Sequence, residues 1–140
     1  MRPSPTLFSL GASLVAFSLA CGDGSSGGVE VPNQMSAGDR EHAAAVLKPG
    51  ESVRAYYDAT ISLDGTEIAM VTDQRVVYVL DKNVTEIPLA DVTDVVHSSD
   101  TISGDVIDVK GAGGQRLRVE IAPMNDGQVF LEVLHEATGK

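Results

Sequence analysis

Apolar residues recur at every second position in short runs, each broken by turn-forming residues, and this pattern restricts the chain to a β-rich fold. Val53, Ala55, Tyr57, Ala59, Ile61 and Leu63 alternate with Arg54, Tyr56, Asp58, Thr60 and Ser62, the period of a strand with one face buried and the other in water. Asp64-Gly65 then offers hairpin chemistry, because glycine tolerates the positive φ of such turns, and leads into a strand over 67–71. A turn at 72–74 feeds a strand over 75–80, and Asp81-Lys82-Asn83 punctuates again. The run 84–87 is closed by Pro88, whose missing N–H confines it to a sheet edge or a strand end. Leu89, Val92 and Val95 or Val96 follow at mixed spacing, which predicts one helical turn entering a further strand.

Strands over 105–110 and 115–121 flank the loop Gly111-Ala112-Gly113-Gly114. Ile107 and Val109 must share a face with Leu117, Val119 and Ile121, so an odd-numbered loop pairing Val109 with Leu117 and Asp108 with Arg118 is required. Two helices bracket these strands. Ser36 with Asp39 makes a capping-box-like start to a short helix through Ala43–Leu47, ended by Pro49-Gly50. Asn125 or Asp126 caps a final helix with an apolar stripe of Phe130, Val133, Leu134 and Ala137. With three Phe, three Tyr and no Trp, the core must rest on aliphatic residues, a diet that favours strands. The predicted class is mainly β with one C-terminal helix and a short N-terminal helix, a small barrel or sandwich with one end plugged.

The N-terminal segment has a different character. Arg2 precedes Leu7 to Ala20, fourteen residues without a charge, and the polar GDGSSGG follows at once. This is the profile of a cleaved export signal, too short for the ~20 apolar residues of a membrane span. Ser18-Leu19-Ala20-Cys21-Gly22 resembles the lipobox of bacterial lipoproteins, in which the cysteine is acylated and becomes the new N-terminus. Lipoboxes place Leu three positions before the cysteine, where this chain has Ser18, and Ser18-Leu19-Ala20 also suits the ordinary signal peptidase. Cys21 is the one cysteine, so no internal disulfide can form. The expected organisation is a signal peptide over 1–20, a lipid-anchored tether over 21–35 and one domain over 36–140. Gly22 after Cys21 favours the outer membrane if the source is Gram-negative. The tether, rich in Gly, Ser and acidic residues, is expected to be a coil with a reach of about 20 Å.

Charge narrows the partners. Without the leader, nine basic residues face twenty acidic ones. Such a field repels phosphate backbones and anionic head groups, which argues against nucleic acid and phosphoinositides.

Two stretches carry more than composition. Ile68-Ala69-Met70-Val71-Thr72-Asp73-Gln74-Arg75-Val76-Val77-Tyr78 is followed by Ile87-Pro88-Leu89-Ala90-Asp91-Val92-Thr93-Asp94-Val95, with Pro49-Gly50-Glu51 upstream. Together they resemble bacterial PH-like domains related to the GRAM group, over roughly Leu47 to Ala137. The resemblance implies a PH-like barrel of two near-orthogonal antiparallel sheets with a helix capping one end. It implies a membrane-proximal, protein-binding or assembly module. The expectation is therefore a non-catalytic envelope lipoprotein that binds a protein partner, with a self-associating scaffold or a plainly secreted domain as alternatives.

No catalytic constellation stands out. His42, His97 and His135 lie on separate elements without HExxH spacing or cysteine partners, so no metal site and no cofactor are expected. There is no G-x-S-x-G, and Asp81-x-Asn83-x-Thr85 lacks the glycine and glutamate of a calcium loop. The candidate binding residues are Arg75, at the matching motif position after a tight turn, and Arg116 and Arg118, on one face of their strand. For Arg75 the competing reading is a structural ion pair with Asp73 or another acid near the turn.

Overall fold

A computed structural model describes residues 27–140. The expected signal peptide, Cys21 and the first part of the expected tether lie outside them. Strands β1 (Val53–Asp58), β2 (Glu67–Thr72), β3 (Arg75–Leu80) and β4 (Asn83–Pro88) form one antiparallel sheet in sequence order. A 3-10 turn at Leu89–Asp91 carries the chain into a second antiparallel sheet of β5 (Val92–Asp100), β6 (Gly104–Gly111) and β7 (Arg116–Ile121). Helix α1 (Ala37–Ala44) precedes the strands and α2 (Gly127–Thr138) closes the chain. This mainly β architecture with a terminal helix is the predicted PH-like fold.

Local chemistry explains most of the boundaries. Ser36 Oγ accepts from the Asp39 amide at 3.1 Å and so caps α1. Pro88 ends β4, the outermost strand of its sheet, where its missing donor costs nothing. Around the β6–β7 loop, Val109 faces Leu117 and Asp108 faces Arg118, the register that face matching requires. Gly104, at φ 76°, opens β6 where a Cβ would meet the backbone of Pro123 at 2.7 Å, so no larger residue fits.

The sheets enclose the main core. Ala55, Tyr57, Ala69, Val71 and Val76 from the first sheet meet Ile107, Val109, Leu117, Val119 and Ile121 from the second. Helix α2 plugs the end with Phe130, Leu131 and Leu134. A second core lies on the opposite face of the first sheet, where Tyr56, Ile68, Met70, Val77 and Val79 pack beneath Ala43 of α1 and Met35.

The packing corrects three expectations. Tyr56 and Asp58, placed by alternation on the water face of their strand, are 1% and 4% exposed, because α1 covers that face. Ile61, placed on the buried face, is fully exposed. Strand β1 stops at Asp58, whose carboxylate accepts from the amides of Thr60 at 2.9 Å and Gly65 at 2.8 Å and turns the backbone out of the sheet. Finally, the tether does not extend to residue 35. Val29 is 5% exposed and donates its amide to the Asn125 carbonyl at 2.9 Å, and Glu30 forms a two-bond bridge with Tyr56. Valine and methionine within a polar stretch are enough to dock it, since each finds an apolar surface left by the barrel.

Candidate functional site

Helix α1 is only eight residues long, and it leaves part of the outer face of the first sheet uncovered. The result is a groove of about 770 Å³ between the end of α1 and the β3–β4 hairpin. Val46 and Val79 form its floor, Val84 its rim, and His42, Lys48 and Lys82 ring it. Val84, which faces Val79 across the hairpin, is 50% exposed although it is large and apolar.

One wall of the groove is an ion network. Arg75, 4% exposed, donates Nε to Glu51 Oε1 at 2.7 Å and Nη2 to Glu51 Oε2 at 2.9 Å, a bidentate pair. Its remaining donors reach the Val46 carbonyl at 2.9 Å and Glu86, and Lys48 Nζ pairs with Glu86 at 3.2 Å. Thr72 Oγ1 also donates to Glu51, at 2.7 Å. The Arg75 guanidinium, opposed by burial and helped by the Lys48 amide and Thr72, pulls the Glu51 carboxyl down to a pKa of about 2. Glu51 and then Glu86, against burial, raise the pKa of Arg75. Arg75 thus pairs with Glu51 and Glu86 rather than with Asp73, whose Oδ1 accepts from the Ser52 amide at 2.9 Å. Pro49-Gly50-Glu51 and Thr72-Asp73-Gln74-Arg75, distant in sequence, meet in this one network.

At the other end of the groove lies a cluster that sequence reasoning missed. Asp39 and His42 project from one face of α1, and Asp58 from the end of β1, with donor atoms all within 4.8 Å of one another. Tyr56 stands on the same face of β1 as Asp58. Burial, then Asp58 and Asp39, push its phenol pKa upward. Gly65, at φ 72°, packs so closely that a Cβ there would lie 2.7 Å from His42 Nδ1. A scan for histidine pairs or cysteines passes over this group because its partners are carboxylates. The visible signal was Asp39-x-x-His42, whose spacing puts both side chains on one side of a helix.

The other candidate residues sit elsewhere. Arg118 on β7 donates to both oxygens of Asp108 on β6, at 2.8 and 3.0 Å, and Arg116 makes no ion pair among the described residues. Both lie on the second sheet beside shallow hollows, so the structure does not bring them together with Arg75. His97 Nε2 meets Asp105 Oδ1 at 2.7 Å, with Gln128 donating to the same oxygen at 3.3 Å, a tie between β5, β6 and α2. No helix among the described residues is long and apolar enough to cross a membrane.

In comparison with known proteins, a family model described as bacterial PH domain matches residues 47–136. No curated protein and no solved structure matches significantly.

Proposed function

From the premise that this chain belongs to the bacterial PH domain family, we propose that it is an envelope lipoprotein, anchored through Cys21, whose domain binds a protein partner without catalysis. The family supports a non-catalytic binding module in general, and a fold this widely used does not by itself name a ligand.

The observation that carries the reading is the uncovered groove beside β4. An apolar floor and rim, Val46, Val79 and Val84, lie next to a strand whose outer edge has no hydrogen-bonded strand partner among the described residues. Strand addition suits such a place: an extended segment gains main-chain hydrogen bonds from the edge and specificity from the pockets beside it. Lys82 at the rim makes no ion pair among the described residues, so an acidic group flanking an apolar one in the partner segment fits best.

The test has two parts. A photo-crosslinking residue at Val84, in the full chain expressed in its envelope, should give a discrete adduct that Lys82→Glu weakens, whereas the same group at exposed Ile102 should not. No adduct at 84, or equal adducts from both positions, overturns groove binding, and an adduct of twice the chain's mass moves the reading to a self-associating scaffold. Mass spectrometry of the mature N-terminus should find Cys21 acylated; an unmodified thiol overturns the anchor.

A further inference from the structure

We infer that Asp39, His42 and Asp58 form a binding site for a divalent transition metal, with zinc the expected occupant. The inference does not depend on what fills the groove.

Geometry is the first ground. Zinc holds nitrogen and oxygen donors at about 2.0–2.2 Å, so donors around one ion lie up to about 4.4 Å apart. The three side chains have donor atoms within 4.8 Å of each other, so small rotations bring them onto one ion. The donor set of one imidazole and two carboxylates suits zinc better than calcium or magnesium, which take oxygen, or copper(I), which takes sulfur.

Charge is the second. Asp39 and Asp58 are 1% and 4% exposed, and neither makes an ion pair with Lys or Arg among the described residues. Two carboxylates withdrawn from water in one place need a counter-charge. The capping box explains one oxygen of Asp39, which accepts from Ser36 Oγ at 2.6 Å, but supplies no positive charge.

The third ground is hydrogen-bonding capacity left over in the cluster. The Tyr56 hydroxyl, on a residue 1% exposed, lies within the influence of Asp39 and Asp58 but completes no hydrogen bond of normal geometry with either. Nδ1 of His42 is likewise buried and unpartnered. Buried polar atoms are satisfied in nearly all native proteins. A bound ion satisfies the imidazole directly, and a water or carboxylate oxygen in its shell accepts from the tyrosine. Ser36, Thr60 and the Gly65 amide already orient the two carboxylates, as outer partners of metal ligands do. His42 and Gly65 also line the groove, which gives the ion a way in.

Calorimetric titration of zinc chloride into the chelator-treated full chain tests this. One ion per chain should bind and raise the melting temperature, and His42→Ala should weaken binding by about 10–100-fold or more, with His135→Ala, on α2, serving as the control. Asp39→Asn, which keeps an oxygen for the cap, should act like His42→Ala. A readout that needs no variant is the histidine NMR spectrum: zinc should move the His42 ring resonances and leave those of His97 and His135 in place. No binding by the unaltered chain overturns the site, as does binding that follows His135 or His97 instead.

Discussion

Arg75 joins three parts of the chain at once, and its burial decides what its loss costs. Replacing it with methionine strands Glu51 without its partner, and breaking a buried pair from one side costs about 3–5 kcal/mol. The double replacement Arg75→Met with Glu51→Leu should recover much of that loss, as a double-mutant cycle in urea can measure. Recovery close to zero would mean that the guanidinium's bonds to Val46 and Glu86 dominate. The same pair sets the acid limb of stability. With its folded pKa of about 2, below the ordinary value of 4.5, Glu51 contributes stability fully present above pH 4.5 and lost as pH falls from there towards 2. Thermal melts across that window should flatten in Glu51→Gln. The sequence marked Arg75 as a motif position, but its acid lay undetermined, because Glu51 is 24 residues away and the contact depends on how the loop between α1 and β1 meets the β2–β3 turn.

Between elements, legibility followed how local each constraint was. The β6–β7 register could be read because matching two apolar faces across a short glycine-rich loop forces an odd-numbered connection and admits few pairings. The strand-ending Pro88 and the Ser36 cap were equally local. The outer face of β1 was not legible: Tyr56 and Asp58 look like water-facing residues until α1 is laid over them. For the same reason the Asp39–His42–Asp58 cluster was only half legible: Asp39-x-x-His42 is local to α1, but Asp58 joins it from β1 through tertiary packing alone. The segment around Val29 and Met35 looked like coil because its composition is polar overall. Its docking predicts that a chain beginning at Ser36 is less stable than one beginning at Gly28, by about 2–5 kcal/mol if burial of the two side chains is the main loss. Equal urea midpoints would show that the segment merely rests on the barrel.

For the molecule as a whole, one sheet serves two cores. Its inner face closes the barrel under α2 and its outer face holds α1, so both faces of that sheet carry fully buried side chains. Phe130→Ala, at 0% exposure beneath the plug, should cost about 3–5 kcal/mol and lower the melting temperature of the entire domain. A loss confined to α2, seen as protected amides elsewhere in hydrogen exchange, would contradict this.

The docking of Val29 also limits height. Only eight peptide units separate Cys21 from Val29, and a chain that short spans at most about 28 Å even when drawn straight. Under the proposed anchoring, the pole that carries Val29 and Asn125 is leashed close above the head groups. The bilayer's own negative charge then pushes the acidic body outward to the end of its leash, so that pole is held at a narrow range of heights rather than left to roam.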